Sequence, residues 1–122
     1  MPEDWNNREG IVNQLLLSRQ NDWIKNNIHE INNLNRIEQS IIRLLYRTRV
    51  FSSLNCLNMT RVAGMIGCTK MTVSMNVPHL VDLKIIKLAP YKRGSSRRMW
   101  LNMKDYPVWV NAVLVRLGAK TI

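Results

Sequence analysis

Thr60-Arg-Val-Ala-Gly-Met-Ile-Gly-Cys-Thr-Lys-Met-Thr-Val-Ser-Met-Asn-Val77 is the stretch that decides how this chain folds. Val62, Ala63 and Ile66 recur at helical spacing, and Gly67 follows where a left-handed residue ends a helix. Thr69 then offers an N-cap to a second helix that starts at Lys70 and turns Val73, Val77 and Leu80 inward. Pro78 falls inside that helix, where it removes a backbone hydrogen bond, so a bend or break is predicted at Asn76-Val77. Downstream, Ile85-Ile86-Lys87-Leu88 and Met99-Trp100-Leu101-Asn102-Met103 read as strands joined through a Gly94-Ser95-Ser96 turn, with Lys92, Arg93, Arg97 and Arg98 around the tip. Trp100 is expected to point inward as core. Helix, tight turn, helix, strand, basic tip and strand is the order of a winged helix-turn-helix.

The flanks read as helices. From about Arg8 to Leu34 apolar residues fall at helical spacing (Ile11, Val12, Leu15, Leu16, then Trp23, Ile24, Ile28, Ile31, Leu34), which predicts one long helix, or two broken near Ser18 to Asp22. Its asparagines, including Asn26, Asn27, Asn32 and Asn33, are poor helix formers, so this segment depends on packing. Asn35 with Glu38 three residues on signals a capped start for a helix through Ile37, Ile41, Ile42, Leu44 and Leu45 to about Arg49. Val50 to Asn58 is expected to be a loop holding a very short strand. Asp105 is the predicted cap of a last helix from Tyr106 or Pro107 to Leu117, with Gly118 as its stop. That helix is apolar nearly all round, so it must be covered on more than one side. The fold class expected is mainly α with a small β-hairpin wing. At 122 residues the chain fits one domain, divided into an N-terminal dimerisation helix (1–34), a winged helix-turn-helix (35–104) and a C-terminal helix (105–122).

Charge sharpens the division. The formal net charge is +10, yet residues 39–104 hold twelve Lys/Arg against Asp82 alone, a local net of +11. The first 38 residues carry four basic and six acidic side chains, and the last eighteen carry two and one. A basic surface kept only for solubility would not concentrate in this way. A polyanionic partner does, through phosphate neutralisation and counterion release.

Several functional classes drop out. Cys56 and Cys68, twelve residues apart with no paired histidines, suggest neither a zinc site nor a disulfide framework. The N-terminal Met-Pro-Glu-Asp-Trp is unlike a signal peptide, and no apolar run approaches the roughly 18 residues of a membrane span. The expected location is therefore cytoplasmic, on the nucleoid. His29 and His79 are fifty residues apart with no nucleophile or paired carboxylates near either, so no enzyme activity, cofactor or metal is expected. Cys68 lies just before a helix N-terminus, where the dipole favours a thiolate, so it is read either as a redox switch or as a small buried hydrophobe.

The chemistry that does assemble is that of duplex recognition. A helix entering the major groove presents its N-terminal residues to base edges. Lys70, Met71, Thr72, Ser74 and Met75 lie on that face, Arg61 and Thr69 beside it, and His79 near the phosphates. Lys70 can reach a guanine edge or a phosphate, and Thr72 and Ser74 can bond either. Lys92, Arg93, Ser95, Ser96, Arg97 and Arg98 form a tip suited to phosphates and to insertion in a narrow minor groove. Trp5, Trp23, Trp109 and the apolar C-terminal helix either close the monomer core or build a two-fold dimer whose recognition helices read half-sites a turn apart, and the dimer is the favoured reading.

Thr60-Arg-Val-Ala-Gly-Met-Ile-Gly67, Thr69-Lys-Met-Thr-Val-Ser74, Leu83-Lys-Ile-Ile86 and Arg93 to Leu101 together resemble the winged-helix domain of MarR-like transcription regulators. The resemblance covers about a third of the chain closely and the flanking helices by layout. It implies a homodimeric double-stranded-DNA binder whose terminal helices form the dimer and whose Lys70, Met71, Thr72, Ser74 and Met75 face DNA. Pro78 and Asn76 interrupt the family's recognition helix, the wing lacks an acid before its arginines, and one C-terminal helix stands where two are usual. The Gly-Ser-Ser-Arg-Arg wing is also similar to that of plasmid centromere-binding adaptors and of small viral or archaeal winged-helix proteins. A dimeric transcription regulator is the leading expectation. A plasmid or viral segregation or replication adaptor on the same scaffold, and a winged helix used for protein contact, stay open beside it.

Overall fold

A computed structural model describes residues 19–120 of the chain. The expected N-terminal helix from Arg8 to Ser18, with Ile11, Val12, Leu15 and Leu16, lies outside these residues, as does Trp5. Among the described residues the protein is mainly helical with a small antiparallel sheet, compatible with a winged-helix-like layout. None of its helices is long and apolar enough to cross a membrane.

Residues 19–27 are helical (α1), with no break at 19–22, and then tighten into a 3-10 turn over Ile28–Asn33 instead of continuing as α-helix to Leu34. The change falls among asparagines, which are poor helix formers, and the Asn27 side-chain amide donates to the Trp23 carbonyl at 2.9 Å where the α-helix gives way. Ile31 and Leu34 are the anchors that hold the turn to the core.

Helix α2 (Arg36–Arg47) starts with the capping box that the Asn35/Glu38 spacing predicts. The Glu38 N–H donates to Asn35 Oδ1 at 2.8 Å and the Asn35 N–H to Glu38 Oε1 at 3.0 Å. Ile41, Ile42, Leu44 and Leu45 are its buried face. It stops at Arg47, two residues short of expectation. Thr48 Oγ1 donates back to the Leu44 carbonyl at 2.7 Å and Arg49 takes a left-handed φ of 57°. The short strand expected before Asn58 is β1 (Leu57–Asn58). Asn58 also caps α3 (Met59–Ile66), accepting from the Arg61 N–H at 2.8 Å.

Gly67 closes α3 at φ 87°, its N–H and that of Cys68 both donating to the Ala63 carbonyl. Thr69 accepts from the Thr72 N–H at 3.2 Å and opens α4 (Lys70–Asp82). The predicted break at Asn76-Val77 does not occur: α4 is continuous through Pro78. Pro78 and Ser74, whose carbonyl loses its partner, are both on the exposed face, where water can satisfy that oxygen. Val73, Val77 and Leu80, all fully buried, pin the helix on either side of the proline.

Lys84 at φ 62° turns the chain into β2 (Ile86–Leu88), which pairs with β3 (Arg98–Leu101), and β3 pairs in turn with β1, giving the order β1-β3-β2. The register sets Ile86 opposite Leu101 and Leu88 opposite Met99. Met99 and Leu101 therefore face the core, while Trp100, expected inward, alternates to the other side and is only half-buried. β3 ends at Leu101, two residues before the predicted Met103.

Helix α5 (Pro107–Arg116) has no cap from Asp105, which pairs with Lys87 instead. The cap comes from a distance: the Val108 N–H donates to Oε1 of the buried Gln20 on α1 at 2.8 Å. Trp109 is fully buried within this one chain, its Nε1 donating to the Leu83 carbonyl at 2.7 Å and its ring meeting Trp23 edge-on at 6.3 Å. Trp109 and Trp23, expected in a dimer interface, thus close the chain's own core along with Val110, Val113 and Leu114. A helix this apolar finds its cover on α1 and the α4–β2 turn. Its other end is held where Arg43 of α2 donates to the Leu117 carbonyl at 2.8 Å.

Candidate functional site

The basic segment folds into two adjoining surfaces, the outer face of α4 and the loop between β2 and β3. Thr69, Lys70, Met71, Ser74 and Met75 are exposed on the first. Thr72 is half-buried and engaged, its hydroxyl 2.8 Å from that of Thr69, so it serves the helix start before any ligand. Arg61 is exposed on α3.

On the loop, Lys92, Arg93 and Ser95 are exposed around a turn closed by the Ser95 N–H on the Lys92 carbonyl at 3.1 Å, with Gly94 at φ 79°. Ser96 is instead a fastener: Thr60 donates to its Oγ from both backbone N–H and hydroxyl at 3.3 Å, and the Met59 N–H donates to the Arg97 carbonyl at 3.0 Å. The loop is thereby tied to the first turn of α3, which packs against α4. Arg97 is also committed to the fold, its Nε and Nη2 both donating to the Ala89 carbonyl, at 3.1 and 3.0 Å. That fork braces one arm of the loop against the other. Arg98 points outward.

Between the arms lies an open cleft of about 670 Å³ lined by Asn58, Tyr91, Lys92, Arg97 and Arg98 among others. Tyr91, 73% exposed, is a residue that the sequence pattern did not single out, although an aromatic directly before Lys92-Arg93 is the available signal: a ring interleaved with cations suits stacking beside phosphate contact. Among the described residues, Arg61, Lys70, Lys92, Arg93 and Arg98 make no ion pair. Their charges are therefore offered outward.

His79 departs from the solvent-facing role expected of it. Its Nδ1 makes a short contact with Oε2 of Glu38, a carboxylate only 3% exposed at the start of α2. Asn35 Nδ2 donates to Asn76 Oδ1 at 2.7 Å, and Asn76 Nδ2 to the Thr72 carbonyl at 2.7 Å. Asn35 and Glu38 so grip α4 at two points a turn apart and set the angle at which its outer face is presented. Nothing in the sequence pairs residues 38 and 79.

Cys56 and Cys68 are both half-buried free thiols. Among the described residues no three His, Cys, Asp or Glu side chains gather to hold a metal ion. No protein-family model matches the chain, and no curated protein matches it either.

Proposed function

We propose that the chain binds double-stranded DNA sequence-specifically as a homodimeric transcription regulator of winged helix-turn-helix type. In this reading α3, the Gly67–Thr69 turn and α4 are the helix-turn-helix, α4 enters the major groove, and the β2–β3 loop is a wing over phosphates and the minor groove. The observation that carries it is the set of five cations, Arg61, Lys70, Lys92, Arg93 and Arg98, that make no ion pair among the described residues, on surfaces tied together by the Thr60–Ser96 hydrogen bonds. Unpaired cations fastened in one array neutralise phosphates without first breaking internal ion pairs.

Dimerisation is supported by α5. Val108, Ala112 and Val115 recur at i, i+4 and i+7 and stay half-buried while the rest of the helix's apolar side chains enter the core. A second copy related by a two-fold axis would cover this stripe and set two α4 helices on one duplex.

Titration of duplex DNA with the full chain at 50 and 200 mM salt tests the reading. Six to ten phosphate contacts weaken binding by roughly 10³- to 10⁵-fold across that range. Binding that ignores salt, or no binding at low salt, sinks it. Footprinting then separates a regulator, which protects one operator, from a segregation or replication adaptor, which coats an array of repeats cooperatively.

A further inference from the structure

Helix α4 presents an outer stripe unlike the rest of the basic surface. Met71, Ser74, Met75 and Pro78 fall at i, i+3, i+4 and i+7, all exposed, and carry no charge between them. Met71 is 71% and Met75 75% exposed, so two large apolar side chains stand nearly clear of the protein where burial would have favoured them. Asp82, the acid of this helix, reaches the same stripe only about three turns on, at the C-terminal end. The exposed cations of the same basic segment are Lys70 at the helix start, Arg61 on α3, and Lys92, Arg93 and Arg98 on the loop that Thr60 fastens to α3.

An apolar strip on a helix of a strongly basic segment suits a major groove whose edges are phosphates and whose floor carries methyl groups. Thymine supplies such methyls through C5, and they are read by apolar contact instead of hydrogen bonding. We infer that Met71 and Met75 read thymine C5-methyl groups, so that the preferred half-site carries thymines at two defined positions. This rests on the DNA-binding reading of α4 and specifies what α4 selects. Four residues of helix advance about 6 Å along the axis, while one base-pair step advances about 3.4 Å. With α4 lying along the groove, the two methyls are about two steps apart, a T-x-T spacing on one strand or its cross-strand equivalent. Ser74, about 60° around the helix from Met71 on the side away from Met75, donates to or accepts from a neighbouring base edge. Lys70, at the N-terminal end of the helix, reaches a guanine or a phosphate just outside.

The experiment uses the full chain. Duplexes selected from a random pool by binding are remade with deoxyuridine in place of each selected thymidine, which deletes the methyl and leaves the base pairing intact. Affinity is expected to fall about fourfold for each methyl removed at the two positions, the equivalent of about 0.8 kcal/mol for one buried carbon, and to be unchanged by the exchange elsewhere. Met71→Ala and Met75→Ala should each lower affinity for the thymidine duplex and abolish the penalty at one position, while Met71→Leu keeps it. Both methionines are exposed, so the variants are expected to melt like the parent. Tight binding that is indifferent to every uridine exchange overturns the thymine assignment and leaves DNA binding standing. Unchanged DNA affinity in Met71→Ala/Met75→Ala overturns it as well and turns the stripe toward a protein partner. Failure to bind any duplex at low salt overturns both readings together.

Discussion

Asn35, the N-cap of α2, donates through Nδ2 to Oδ1 of Asn76, in the middle of α4, at 2.7 Å. Three residues on, Glu38 reaches His79. The capping box of one helix is thus also the polar clasp on another, and α4 is held at a fixed tilt by groups that also satisfy the start of α2. Replacing His79 by Ala leaves the buried Glu38 carboxylate with the Asn35 N–H as its remaining partner among the described residues. The expected loss is roughly 1–3 kcal/mol of stability, together with weaker DNA binding from a helix no longer held in place. Urea denaturation and a DNA titration measure the two. A variant as stable as the parent would show that the clasp contributes nothing.

Trp109 carries a second prediction. It is fully buried, stacks edge-on with Trp23, and donates to the Leu83 carbonyl at the end of α4. Trp109→Ala is expected to cost about 3–5 kcal/mol, mostly through the cavity it leaves. Trp109→Phe keeps most of the volume but leaves the Leu83 carbonyl without its donor, and should cost less, about 1–3 kcal/mol. Thermal melts of the two variants should rank in that order, and equal melting temperatures would contradict the packing described.

What the sequence disclosed depended on range. The Asn35/Glu38 box, the Gly67 stop and the Thr69 cap are contacts over three or four residues, and each stands where its spacing predicts it. Pro78 misled because its penalty depends on whether the orphaned carbonyl meets water, and that required knowing which side of α4 faces solvent. Trp100 misled because facing alternates with register, and the register of β3 is fixed across the long loop to β2. The Gln20 cap on Val108, 88 residues away, and the Glu38–His79 contact, 41 apart, have no local signature at all. At the site, residue type identified the cations, but only the fold separates Arg97, which is spent on the Ala89 carbonyl, from Arg93 and Arg98, which make no ion pair among the described residues.

The stripe on α5 predicts the state of association. Ala112→Asp or Val115→Asp introduces a charge on a surface that is half-buried in the single chain, so folding should survive. If α5 is the two-fold interface, each variant should sediment as a monomer at micromolar concentration, where the parent sediments as a dimer, and should bind a two-half-site duplex more weakly. A parent that sediments as a monomer at every concentration, even with DNA bound, removes the dimer from the proposal.

The arginines of the loop separate contact from support. Among the described residues, Arg93 and Arg98 make no ion pair. Arg93→Ala or Arg98→Ala therefore takes one cation per protomer off the phosphates, and each should reduce the steepness of log affinity against log salt by about 0.9 per protomer, about 1.8 for a bound dimer. Arg97 spends its Nε and Nη2 on the Ala89 carbonyl. Its removal lets the arms of the loop part and spoils the alignment of its neighbours, so Arg97→Ala should lower affinity for all sequences while the salt slope changes little. Arg97→Lys should behave like Arg97→Ala, because an ammonium cannot reproduce the fork on one carbonyl. Slopes measured across a series of salt concentrations decide the matter. An Arg97→Ala slope reduced as much as that of Arg93→Ala would mean that Arg97 leaves Ala89 on binding and contacts phosphate directly.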